Sequence, residues 1–258
     1  MYLGLKNEVA LITGSSQGIG KAIARCFLSE GCRTVITGRQ HEKLMETKTE
    51  FDSEFGSDRI LAFEGDMTQK DIIENMLRNI TEKWGKIDCL VANIGTGSGK
   101  AGWNIDEEDW YALFEANFWG SVKLVKEVLS KMIGSRHGTI VFISSITGKE
   151  STAAPLPYSA AKAAIMSYSK NLARMVGPYN VRVNCIAPGN ILSPNGSWER
   201  NLSERREEVM NYITNEVALQ RFGRPEEIAD LAIFLSSERS SFITGACIVA
   251  DGGQTRSI

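Results

Sequence analysis

The feature that most constrains this chain is a rhythm: short, unbroken apolar runs separated by stretches of helical length. The first run, 9–13 (Val-Ala-Leu-Ile-Thr), carries no polar alternation before its final residue and ends at a glycine. A strand buried on both faces reads in this way. Similar runs recur at 34–37, 60–63, 87–92, 139–143, 181–186 and 247–250, with apolar residues at helical spacing over 19–28, 42–55, 71–84, 106–132, 158–175 and 225–235. Strands alternating with helices of that length specify βαβ units. The expected fold is therefore α/β: a single doubly wound domain over residues 1–258, with a mostly parallel seven-stranded sheet and helices on both faces. Only 190–221 breaks the rhythm, being polar and too long for an ordinary connection, and it reads as a lid over a site.

Composition removes several function classes. With 258 residues, 43% hydrophobic and 23% charged, the chain can bury a core without metals or disulfides to support it. A net charge of −2 gives no general attraction for nucleic acid or an anionic membrane, and neither is expected as a partner. The five cysteines show no C-x-x-C spacing, so no metal site is expected, and no apolar run is long enough to span a bilayer. A reducing, cytoplasmic setting follows.

Directly behind the first run stands Thr13-Gly-Ser-Ser-Gln-Gly-Ile-Gly20. Strand, glycines and helix in that order form a phosphate cradle of the Rossmann type. Gly14 makes the turn, Gly18 admits a pyrophosphate, Gly20 permits close helix–strand packing, and the helix N-terminus faces the phosphates. A second glycine cluster, Gly97-Ser-Gly-Lys-Ala-Gly102, imitates the motif, but Ala101 stands where a nucleotide-hydrolysing loop needs a hydroxyl and no helix opens behind it. After the second strand the corner is Thr37-Gly-Arg-Gln40, with no carboxylate to accept from a ribose 2′-hydroxyl. Arg39 can instead pair with a 2′-phosphate, so NADP(H) is preferred to NAD(H).

These motifs, with others downstream, resemble the short-chain dehydrogenase/reductase family over almost the whole chain. Thr13 to Gly20 is similar to its cofactor motif, with Ser16 and Ile19 inside it, and Asp66-Met67 follows the third strand where the family contacts adenine. Val91-Ala-Asn-Ile-Gly95 is similar to its Asn-Asn-Ala-Gly, with Asn93 kept and Ala92 and Ile94 as departures. Pro188, Gly189, Ile191 and Ser193 resemble the segment that holds the nicotinamide, Ser193 replacing a threonine. Asn117, Ser145, Tyr158 and Lys162 fall in the order and spacing of the family's catalytic tetrad. The resemblance implies hydride transfer between a nicotinamide and a carbonyl or secondary alcohol, and a homotetramer; relatives include 3-oxoacyl-carrier-protein reductases and reductases of sugars, polyols and steroids.

The chemistry calls for the same residue types. Reducing a carbonyl needs an acid for the developing alkoxide, and a free phenol, with a pKa of about 10, needs assistance to exchange its proton near neutrality. On a helix, Tyr158 and Lys162 share a face, so the ammonium can favour the phenolate while donating to the ribose. Ser145, at a strand end, can polarise the substrate oxygen. Asn117 is expected to hold a water that links Lys162 to solvent. The same Tyr-x-x-x-Lys spelling occurs at Tyr2–Lys6, but without a serine or a phosphate loop before it. Glu150, Trp198 and Arg200 are candidate substrate contacts, with Trp103 and Trp119 further aromatics near them. Two other readings compete: an NAD-dependent sugar or hydroxy-acid dehydrogenase, and a non-catalytic dinucleotide sensor.

Overall fold

The computed structural model describes residues 2–100 and 102–257. The chain alternates β1 (Val9–Ile12), α1 (Gly18–Ser29), β2 (Arg33–Gly38), α2 (His41–Phe55), β3 (Ile60–Glu64), α3 (Lys70–Trp84) and β4 (Cys89–Ala92). Then come α4 (Glu107–Phe114), α5 (Gly120–Ser135), β5 (Gly138–Ile143), α6 (Leu156–Val176), β6 (Val181–Pro188), α7 (Ser197–Glu216), α8 (Pro225–Ser236) and β7 (Cys247–Ala250). The seven strands form one sheet in the order β3-β2-β1-β4-β5-β6-β7, and every pairing is parallel.

The inner strands are apolar on both faces because each of them feeds two cores. In β1, Val9 and Leu11 point to the side covered by α3, α5 and α6, whereas Ala10 and Ile12 point to the side covered by α1, α2 and α8. Leu90 and Ile140 join the first core, and Val91 and Val141 the second. Period-two geometry thus places apolar side chains on both faces.

The strand order reverses direction between β1 and β4, which leaves a crevice beyond their C-terminal ends; open α/β sheets bind ligands there. Two elements differ from the sequence expectation. The helix expected over 106–132 is α4 and α5 joined by a π-helical segment, Glu115–Trp119, that inserts one extra residue per turn around Asn117. The segment 190–221 contains α7, whose backbone breaks at Arg205 (φ −149°, ψ 55°).

Candidate active site

A cleft of about 1530 Å³ runs along the C-terminal edge of the sheet, from α2 at one end to α7 at the other. Pockets for a single drug-sized ligand hold about 300–1,000 Å³. This cleft can take a dinucleotide with a second molecule beside it.

At the β1 end, the glycine loop is stapled to its neighbours. Gly14 N–H donates to Thr37 Oγ1 (3.1 Å), Ser15 Oγ accepts from Thr37 N–H (2.9 Å), and Asn93 Nδ2 donates to the carbonyls of Thr13 (3.2 Å) and Gly14 (3.3 Å). Gly20 allows α1 to approach: a Cβ there would stand 2.3 Å from the Gly14 oxygen. The Gln17 side chain does not cap α1, so side chains leave its first N–H groups free to receive phosphate oxygens. A glycine cradle with free N–H groups fits a dinucleotide pyrophosphate. Gly14, Ser16, Gly18, Ile19, Asp66, Met67 and Asn93 line this part of the cleft.

Arg39 lines its outer end and makes no side-chain hydrogen bond or ion pair among the described residues. Lys43 stands beside it, with Nζ 3.3 Å from Gln17 Oε1. Sequence reasoning missed Lys43, although a second base four residues beyond Arg39 was the available signal. Asp66 Oδ1 accepts from Thr68 N–H (3.0 Å), which leaves its other oxygen open.

Ser145 follows β5, and Tyr158 and Lys162 occupy the first two turns of α6. Ser144 ties these elements together by donating to the Lys162 carbonyl (2.8 Å) while its N–H donates to Ile186 (2.8 Å). The Lys162 ammonium is buried, donates to the Ile143 carbonyl (3.1 Å) and lies 5.6 Å from the centre of the Tyr158 ring. Burial lowers its pKa to about 8, against a small opposing effect of Cys185. Burial pushes the Tyr158 phenol up, and the neighbouring Ser145 hydroxyl opposes that shift. The phenol is thus raised by burial, where the sequence led to an expected lowering by Lys162.

Asn117 is fully buried, and its side chain is committed. Its Nδ2 donates to the carbonyls of Thr96 (3.1 Å) and Leu113 (3.0 Å), and its Oδ1 accepts from Thr96 N–H (3.1 Å). Both amide hydrogens are used on protein, so the side chain holds the Thr96 loop. Gly95 is what lets that loop in. Its φ is +148°, and a Cβ would stand 2.3 Å from Asn117 Oδ1 and 3.2 Å from Lys162 Nζ.

Pro188, Gly189, Ile191 and Ser193 form the opposite wall, where Ile191 bridges to Gly223. Trp198 and Arg200 also line the cleft. Trp198 is stacked on Tyr212 (5.8 Å between centroids, 15°) and lies against Phe222 (5.4 Å), so it packs within the 197–222 segment as well as facing the cavity. Glu150 stands outside the cleft lining and accepts from the backbone N–H groups of Arg256 and Ser257. Trp103 and Trp119 are exposed and outside the lining too. In the imitation motif, Gly97 and Ser98 line the cleft as irregular backbone, and Ala101 lies outside the described residues. No helix among the described residues is long and apolar enough to cross a membrane.

A parallel sheet of this order, a glycine cradle at its switch point and a Ser-Tyr-Lys cluster beside it define a nucleotide-dependent oxidoreductase of the Rossmann class. The family model described as enoyl-(acyl carrier protein) reductase matches residues 14–255. The chain belongs to the short-chain dehydrogenase/reductase family. It is 35% identical over 249 residues to the 3-oxoacyl-acyl-carrier-protein reductase FabG of Chlamydia muridarum, covering 96% of this chain and 98% of that one. Among solved structures, L-sorbose reductase from Gluconobacter frateurii complexed with NADPH and L-sorbose superposes with a TM-score of 0.92 at 32% identity, covering 100% of both chains. A 3-oxoacyl-acyl-carrier-protein reductase with bound NAD from Brucella melitensis gives 0.86 at 28% identity, over 99% of this chain and 95% of that one.

Proposed function

We propose that the chain, acting over 1–258 as one catalytic domain with 190–221 as its lid, is an NADPH-dependent reductase of small ketones. The observation that carries this reading is the pairing of two features at opposite ends of one cleft: an unpaired Arg39 with Lys43 beside it, and Ser145, Tyr158 and Lys162 together at the β5 edge. Two cations and no carboxylate suit a 2′-phosphate. The glycine loop, Asp66, Met67, Asn93 and the segment from Pro188 to Ser193 hold the remainder of the dinucleotide, and a structural relative is complexed with NADPH. When bound, the reduced nicotinamide supplies a hydride.

The chain's own residues supply the proton and the orientation. Ser145 donates to the carbonyl oxygen, and Tyr158 gives that oxygen its phenolic proton as charge develops on it. Lys162 holds the ribose and stabilises the phenolate left behind. Asn117 fixes the Thr96 loop beside them. Burial raises the phenol and keeps it in its proton-donating form through neutral pH.

Beyond the tetrad the lining is rich in uncharged hydrogen-bonding groups: Ser98, Thr152, Asn190, Asn201, Tyr212 and Gln254. That wall suits a polyhydroxylated ketone, and a structural relative is an L-sorbose reductase complexed with L-sorbose. The FabG relatives favour a second reading, a 3-oxoacyl thioester. Self-association as a cytoplasmic homotetramer completes the proposal, supported by the large apolar side chains that Tyr111, Met175 and Phe242 expose. The test is the loss of NADPH absorbance with a panel of L-sorbose, 2-hexanone and an acetoacetyl thioester. Consumption of at least one, faster with NADPH than with NADH, is expected. Tight NADPH binding without turnover of any ketone would return the chain to the sensor reading.

A further inference from the structure

The tail that follows β7 closes one wall of the cleft and is pinned on both sides of Gln254. Asp251 accepts from the N–H groups of Gly253 (2.9 Å) and Thr255 (2.7 Å). Beyond Gln254, Glu150 accepts from the backbone N–H groups of Arg256 and Ser257, and the Arg256 guanidinium pairs with Glu216 on α7 (3.1 Å). The carboxylate of Glu150 is thus the anchor of a strap that joins the segment after Ser145 to the lid helix.

Gln254 lies between these anchors and faces the cavity. Its Oε1 accepts from Asn190 Nδ2 (2.8 Å), and its Nε2 donates to the Tyr212 hydroxyl (2.8 Å). Both contacts have a direction. A hydroxyl that accepts from an amide keeps its own proton for another acceptor, and among the described residues the Tyr212 hydroxyl donates to none. Tyr212 itself lines the cleft, and its ring is held by stacking on Trp198.

We propose that Gln254 is a specificity-determining positioning residue: through this polarised Asn190–Gln254–Tyr212 chain it presents the Tyr212 hydroxyl as a donor to a hydroxyl oxygen of a polyhydroxylated ketone. The role rests on the reading of the site as a ketone reductase. It places the selective contact on the tail and α7, away from the reacting carbonyl, so it acts on substrate choice. A site built to hydrogen-bond a substrate hydroxyl discriminates against analogues that lack it.

Gln254→Glu is the decisive variant. It keeps the size of the side chain and an oxygen for Asn190, but it offers Tyr212 an acceptor where a donor stood, which turns the phenolic proton away from the cleft. The measurement is the ratio of kcat/KM for L-sorbose to that for 2-hexanone, ketones of equal carbon number. The ratio falls about tenfold in Gln254→Glu and in Tyr212→Phe, the worth of one hydrogen bond. It falls no further in the double variant, because both changes remove one contact. A wild-type ratio in Gln254→Glu overturns the role, and so does an equal loss for both ketones, which would make the strap a structural part only. Wild-type reduction of 2-hexanone or an acetoacetyl thioester without any reduction of L-sorbose also overturns it, while the reductase reading stands. Failure of the wild type on every ketone contradicts both.

Discussion

Burial acts in opposite directions on two residues one helical turn apart. It raises the Tyr158 phenol, which must give up a proton, and lowers the Lys162 ammonium to about 8. Reduction needs both groups protonated, and Lys162 is the first to lose its proton as pH rises. The kcat/KM for ketone reduction should therefore hold below about pH 8 and fall above it; a profile flat to about pH 10, the ordinary phenol value, would exclude the lysine from the step. At the other end of the cleft, a charge-assisted pair contributes about 1.5–3 kcal/mol, or about ten- to a hundredfold in affinity. Arg39→Asp should shift the NADPH/NADH preference toward NADH by that factor, read from the two kcat/KM values. Unchanged selectivity would remove Arg39 from the 2′-phosphate site. At this scale the residue types were legible, because proton transfer to a carbonyl oxygen calls for a phenol, an ammonium and a hydroxyl, and their order and spacing match those that the family resemblance implies. Glu150 shows the limit. Its place in sequence, five residues after Ser145, says nothing about the tail that arrives from more than a hundred residues away and takes its carboxylate.

The elements explain why the site is rigid. The π-helical segment turns Asn117 onto the Thr96 loop, and Gly95 leaves the space in which Asn117 and Lys162 converge. Gly95→Ala places a methyl group 2.3 Å from Asn117 Oδ1 at a backbone conformation that L residues avoid. It should lower stability by about 1–3 kcal/mol and depress turnover beyond that loss, measured by thermal melting and NADPH consumption. A fully active, equally stable variant would mean that the loop has another resting place. At the opposite edge of the sheet, Glu8, Lys86, Asp88 and His137 join the starts of β1, β4 and β5. Burial, with the neighbouring Glu8, raises Asp88 to about 6; the contact with Glu8 raises His137, against burial. A carboxyl raised on folding costs stability as it ionises, and a raised histidine adds stability only while protonated. Glu8 acts the other way: against burial, His137, Asp88 and Lys86 hold it at about 2, so it adds stability as pH rises to about 4.5. The melting temperature should fall only above that, as pH rises through about 6 and on through the His137 transition. Asp88→Asn should flatten the first part of that slope; an identical slope in the variant would locate the effect elsewhere. The helix interruption was not legible because apolar spacing is similar on both sides of 115–119. One inserted residue changes the hydrogen-bond ladder without changing the pattern.

For the whole molecule, the inner strands were legible because they are largely buried on both faces and so appear as short apolar runs. The β1/β4 switch point then puts the glycine loop and the ends of β4 and β5 along one edge. The segment 190–221 stood out as polar and overlong, but its joining to the strap after β7 through the side chains of Asn190, Gln254 and Tyr212 was not legible. Such contacts have no periodicity and depend on where the sheet brings distant loops. In the proposed reading, the sheet holds a dinucleotide cradle and a proton donor at one edge, under a lid tied down by the tail. The most direct test is single-turnover reduction by Tyr158→Phe preloaded with NADPH. NADPH should bind with wild-type affinity while ketone reduction slows by about 10²–10⁴-fold, the usual contribution of a positioned proton donor. Reduction at close to the wild-type rate would contradict the assignment of Tyr158 as that donor.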